Sequence, residues 1–334
     1  MTEPAITAKL FSDRETYSQL RLKELERRLT TAPQTSDLTA FTIFAAGSYG
    51  RLEASEHSDI DLFFLYETAR HDLSEPRTAE LRLFGALIEI VDSMGFPKFS
   101  NDCQYLSALS CHDILTALGS PADDFNNYFT VRMLLLLESK CLYGQTTYDD
   151  ILRNIIGSYY RDYPDHQATF EPWFLLNDIG RFWKTLLLNY EHKRNQPADS
   201  DHKAQQKVRN FKLKFSRMTT CFATVAALGC QQSPVPEQTI LELIRLTPRQ
   251  RLQAVLNQRE ELRPLVQAVL DGYAWFLEQT AQTTEQLVAQ FDDKQQRTTM
   301  FTKANEYGDS MFQLLEGIET SSSSPTRLVR YLVI

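Results

Sequence analysis

The run Phe44-Ala45-Ala46-Gly47-Ser48-Tyr49-Gly50-Arg51, followed by Ser58-Asp59-Ile60-Asp61-Leu62-Phe63-Phe64-Leu65, constrains this chain more than any other. Thr42 to Ala46 reads as a buried strand, Gly47-Ser48 as a tight turn, and Tyr49 onward as the start of a short helix. A strand–turn–helix of this kind leaves backbone N–H groups pointing outward, where they suit an anionic phosphate. Asp59 and Asp61 stand two residues apart beside a segment, Ile60 to Leu65, that is apolar apart from Asp61 itself. In a strand, positions i and i+2 share one face, roughly 6–7 Å apart at ~3.3 Å per residue. Two carboxylates so placed repel and are costly to desolvate unless a cation sits between them. The pattern therefore asks for Mg²⁺.

Gly-Ser, ten intervening residues, then Asp-Ile-Asp resembles the signature of the DNA polymerase β-type nucleotidyltransferases. The form Gly47-Ser48-Tyr49-Gly50-Arg51, with Ser58 ahead of the first aspartate, is most similar to the uridylyltransferases that modify the PII nitrogen-signalling protein and to related bacterial nucleotidyltransferases. The signature covers about twenty-five residues, and a weaker similarity runs on to Gly144. The resemblance implies a nucleoside triphosphate, ATP or UTP, held by Gly47 and Ser48. It also implies two Mg²⁺ ions, with Mn²⁺ as a substitute, on Asp59, Asp61 and a third carboxylate. Asp102 is preferred as that third acid because it sits just ahead of an expected strand, whereas Glu89 and Asp92 fall inside a helical pattern. Arg51 is assigned to a phosphate or to bracing Asp59. The implied reaction moves a nucleoside monophosphate to an acceptor, a protein side chain or a tRNA end. An inactive nucleotide-binding regulator with the same fold is the reading from a different class.

Bulk properties suit an α+β protein of two domains. The chain has 334 residues, 43% of them apolar and 23% charged, and this length exceeds one ordinary core. Residues 1–37 are expected to form an N-terminal helix packed on the core, and 38–145 a small mixed-sheet nucleotidyltransferase domain. An all-helical domain over 146–319 and a serine-rich link with an apolar tail over 320–334 complete the expectation. Within the sheet domain a helix is predicted from Glu75 to Ser93 and a third strand over Gln104–Leu109. From Asp113 onward only helices are read, including one continuous helix from Phe129 to Gly144 in which Arg132 and Glu138 form a pair.

No apolar run approaches the ~20 residues of a membrane span, and Met1-Thr2-Glu3-Pro4 lacks the basic-then-apolar pattern of a secretory signal. Five cysteines, an odd number without a C-x-x-C pair, read as free thiols in a reducing cytoplasm. The net charge of −8 argues against nonspecific DNA binding by the whole surface. One basic stretch, Lys203 to Arg217, stands out against it. There Lys212 and Arg217 are candidate phosphate ligands, with Arg181 and Lys184 on a neighbouring helix as further residues to test. The tail Thr326–Ile334 is expected to add a strand to the sheet or to dock in a groove.

Overall fold

The computed structural model describes residues 3–35, 38–69, 72–73, 76–99, 103, 106–195 and 200–320. It is mostly helical with one small mixed sheet, an α+β protein, and divides into two compact units. One unit is residues 12–164; the other joins residues 1–11 to residues 165–334. The division therefore falls inside the first helix, α1 (Glu3–Thr31), and about twenty residues beyond the expected boundary at 145.

The 12–164 unit holds the rest of α1, then β1 (Phe41–Ala46), α2 (Gly47–Gly50), β2 (Asp61–Tyr66), α3 (Pro76–Ser93), β3 (Ala108–Ser110), α4 (Cys111–Thr116), α5 (Pro121–Phe125), α6 (Tyr128–Glu138), β4 (Lys140–Tyr143) and α7 (Gln145–Ser158). The sheet order is β3-β2-β1-β4, with β1 antiparallel to both neighbours and β2 parallel to β3. All six residues of β1 are buried, as a short uninterrupted apolar run at the centre of a covered sheet must be. The pairings Phe41↔Tyr66, Ile43↔Phe64 and Ala45↔Leu62 put six apolar side chains on one face. They pack there with Leu25 and Leu29 of α1 and Leu83, Phe84, Leu87 and Val91 of α3. On the other face Phe44 stacks on Phe63 at 5.4 Å and meets Tyr148 of α7 at 6.3 Å.

Five expectations are corrected here. The short helix begins at Gly47, not Tyr49. β2 begins at Asp61, so Asp59 lies on the irregular segment before the strand and only Asp61 carries the strand's alternation. The third strand is displaced to Ala108–Ser110, where Ser110 then caps α4 by accepting from the Asp113 N–H at 3.2 Å; Gln104 and Tyr105 are outside the described residues. The run to Gly144 is not one helix. Ser139 is extended, with φ −109° and ψ 153°, and Lys140–Tyr143 leaves α6 to pair with β1. An edge of β1 needing hydrogen bonds overrides the helical propensity of a leucine-rich segment. Arg132 and Glu138, expected to pair with each other, bond other residues. Arg132 is fully buried and bonds Asp123 through both Nη atoms, at 2.8 and 2.9 Å, and the Tyr159 hydroxyl through Nε at 3.0 Å.

The second unit contains α9 (Trp173–Arg194), α10 (Ser200–Lys212), a five-residue π-helical segment (Leu213–Arg217), α11 (Met218–Gly229), α12 (Glu237–Arg245), α13 (Pro248–Gln258), α14 (Arg263–Gln279), α15 (Thr284–Asp292) and α16 (Lys294–Thr320). The one-turn α8 (Tyr163–His166) lies at the division. Thr247 and Thr283 start α13 and α15 through capping boxes with Gln250 and Gln286, the Thr-x-x-Gln pattern that satisfies exposed helix N–H groups. An aromatic cluster forms the core: Phe215 stacks on Phe276 at 4.8 Å and on Tyr307 at 4.6 Å, and Phe211 packs against Phe291 at 5.3 Å. Phe11, at the near end of α1, stacks on Tyr273 at 6.5 Å beneath the Arg249 guanidinium. No helix among the described residues is long and apolar enough to cross a membrane. The tail 321–334 is outside the described residues.

The five cysteines are free thiols. Burial pushes Cys111 up to about 12 and Cys141 and Cys230 up to about 11, so few thiolates form at neutral pH. In a timed thiol-labelling experiment the half-exposed Cys103 is expected to react first, and Cys111, Cys221 and Cys230 only after unfolding. Early labelling of Cys111 in the folded protein would contradict this packing.

Candidate functional site

The C-terminal end of β1 is where the two halves of the Gly-Ser…Asp-x-Asp pattern converge. Antiparallel register sets Ala46 opposite Asp61, so the chain leaving β1 turns directly over that carboxylate. Gly47 makes the turn with φ +65°, and a Cβ there would lie 2.6 Å from Asp61 Oδ2. Glycine is needed twice over, for the left-handed backbone and for the close approach. Gly47 is buried while Ser48 beside it and Asp61 are half-buried and Asp59 is exposed. The turn is closed by backbone bonds from the Arg51 N–H to Gly47 O at 3.0 Å and from the Glu53 N–H to Ser48 O at 2.8 Å. Ahead of Asp59, Ser55 and Ser58 lock a second turn. The Ser55 N–H donates to Ser58 Oγ at 2.9 Å and the Ser58 N–H to Ser55 O at 3.0 Å.

Arg51 is not open to a phosphate, contrary to expectation. It is buried, with Nε donating to Glu53 Oε2 at 2.7 Å and Nη1 to Glu138 Oε2 at 2.5 Å. Glu138, the last residue of α6, is thus its distant partner, and Glu53 is a core residue. Tyr49 is buried edge-on against Phe96 at 5.4 Å, and burial pushes its phenol far up. Helix α1 supplies two holds that went unread in the sequence. Ser18 Oγ accepts from the Ala54 N–H at 2.9 Å, and Arg21 lies over Phe96 while donating to Met94 O at 2.7 Å. A serine and an arginine on an amphipathic helix carry no such signal by themselves; only the fold pairs them.

The residues proposed for a metal sort unevenly. Asp61 stands at the turn and Asp59 two residues before it, while Asp102 is outside the described residues. Glu89 and Asp92 are exposed on α3. Among the described residues no group of three or more His, Cys, Asp or Glu side chains is arranged around a metal site. Two carboxylates with hard oxygen donors still fit Mg²⁺, which commonly takes one or two protein carboxylates and completes its octahedron with water and phosphate oxygens.

Lys212 and Arg217 belong to the other unit, on the last residue of α10 and the last of the π-helical segment. Lys212 is exposed and Arg217 half-buried. Between them Lys214 donates to Asn305 Oδ1 at 2.8 Å. Arg181 sits 3.5 Å from Asp178 on α9, and Lys184 on the same helix is exposed. The basic stretch is divided between α10 and the π-helical segment, whose wider turn changes the angular spacing of Lys214 and Arg217. No protein-family description, curated protein or solved structure matches this chain.

Proposed function

We propose that this chain is a Mg²⁺-dependent nucleotidyltransferase that moves a nucleoside monophosphate from ATP or UTP to an acceptor hydroxyl, a protein side chain being favoured, with release of pyrophosphate. The observation that carries the reading is the approach of Gly47 to within side-chain reach of Asp61 Oδ2. It brings the phosphate-type turn at Gly47 and one metal-type carboxylate, fourteen positions apart in sequence, to one point at the end of β1. The resemblance of Gly47–Arg51 and Ser58–Asp61 to the nucleotidyltransferase signature then assigns the chemistry.

In that chemistry the acceptor oxygen bonds to the α-phosphorus, the bond between the α- and β-phosphates breaks, and the acceptor proton is lost to a base or to water. Gly47, lacking a Cβ, lets a phosphate lie against the backbone, and Ser48 offers its hydroxyl and N–H as donors. Asp59 and Asp61 would hold Mg²⁺, which when bound neutralises charge on the triphosphate and acidifies the attacking hydroxyl.

The test is transfer of α-³²P label from each of the four nucleoside triphosphates into protein or RNA in a supplemented lysate. Asp59→Ala/Asp61→Ala is expected to lower transfer by at least about a hundredfold, the scale for removing groups that stabilise transition-state charge. Gly47→Ala should act similarly, because its Cβ displaces the Asp61 carboxylate. Equal labelling by the intact protein and the double variant would sink the proposal. Label in protein rather than RNA would fix the acceptor class.

A further inference from the structure

We infer that Arg51 and Glu138 form a positioning brace that fixes the Gly47–Arg51 turn against Asp61. The inference deepens the nucleotidyl-transfer reading and rests on it for its catalytic meaning. The end of α6 meets the turn twice. Its backbone lies so close that a Cβ on Gly50 would be 1.9 Å from Glu138 O, and its last side chain accepts from Arg51 Nη1. Arg51 in turn carries the backbone bond that closes the turn on Gly47, and Gly47 lies over Asp61. A rigid helix, a buried ion pair, the turn and the carboxylate are thus joined in sequence.

Helix stability does not explain Glu138. A carboxylate at the last residue of a helix faces the negative end of the helix dipole, and this one has a side chain with no exposed surface. Buried ion pairs contribute little net stability compared with apolar residues of similar size. What the pair does supply is direction. The planar guanidinium bonds Glu53 through one edge and Glu138 through the other, which fixes the turn in orientation as well as distance. Arg132–Asp123, in the same unit, is a comparably buried ion pair that joins α5 and Tyr159 to α6 six residues ahead of Glu138. It serves as the control.

Amide hydrogen exchange of the full chain reads the brace without reference to activity. The reporting amides are Arg51, Leu52 and Glu53, which bond Gly47, Tyr49 and Ser48. In Arg51→Lys and Glu138→Leu, exchange at these amides should rise about tenfold or more beyond any global loss of protection. Glu138→Gln, which retains an acceptor for Arg51, should restore most of it. Asp123→Asn should lower global protection with no selective effect at the turn. Binding of Mg²⁺ with each nucleoside triphosphate, measured by calorimetry, should weaken in parallel with turn exchange. Turn exchange that rises no more in Arg51→Lys and Glu138→Leu than in Asp123→Asn would overturn the brace. Absence of nucleotide binding by the unaltered protein would instead overturn the nucleotidyl-transfer reading, and the exchange data would still decide the brace.

Discussion

Arg132→Met is expected to destabilise the 12–164 unit by about 3–5 kcal/mol, the usual cost of removing one partner from a buried ion pair. Arg132 and Asp123 have no exposed side-chain surface, and the guanidinium makes three bonds, two to Asp123 and one to the Tyr159 hydroxyl. Methionine fills much of the same volume, so the loss comes from a carboxylate left in the core without its cation rather than from a cavity. Asp123→Asn added to Arg132→Met removes that charge and should recover a large part of the stability. Urea unfolding followed by far-UV circular dichroism measures this. Tryptophan fluorescence does not, because Trp173, Trp183 and Trp275 all belong to the other unit. A loss below about 1 kcal/mol would show that the pair is solvated and the burial described here is wrong.

Gly144→Ala is expected to cost more than about 3 kcal/mol, through two separate effects that a second glycine separates. Gly144 has φ +72°, and a Cβ built there would lie 2.1 Å from Phe41 O. The conformational part is about 1–2 kcal/mol for an L-residue held in the left-handed region. The remainder is a collision with strand backbone, which cannot yield without opening the Ile43↔Tyr143 pairing that holds β4 on the sheet. Gly95 also has positive φ, +68°, but nothing lies within 4 Å of its Cβ position. Gly95→Ala should therefore cost only the conformational part, about 1–2 kcal/mol. Equal losses in the two variants would show that the contact with Phe41 is relieved by a small backbone shift.

The sequence made legible what local pattern decides. The continuous apolar run of β1 and the helix expected over Glu75–Ser93, found at Pro76–Ser93, both appear where their patterns place them. So does a turn at Gly47, because glycine followed by serine after a buried strand has few other uses. What stayed hidden depends on partners distant in sequence. β4 is read as helix from its residues, and only the unpaired edge of β1 makes it a strand. Arg51 looks like a phosphate ligand until Glu138, 87 residues on, is seen to hold it. Arg132 finds Asp123 rather than the Glu138 in its own helix, since residues six apart lie about 120° around and ~9 Å along a helix while the preceding short helix α5 packs directly against it. The basic stretch from Lys203 to Arg217 ends in a π-helical segment, which has no clear signature in residue type.

The division of the chain inside α1 sets an order of events during synthesis. Residues 12–164 are contiguous, so the sheet-bearing unit has all its parts once that length has left the ribosome. Residues 1–11 are made before that unit yet belong with residues 165–334. Phe11 has no ring to stack on until Tyr273 is made, nor Thr7 an acceptor until Asp271. At ordinary elongation rates that interval is on the order of 10–50 s. Helix α1 is therefore ordered from its far end first, and its leading segment waits with an apolar ring uncovered until α14 arrives to close the second core.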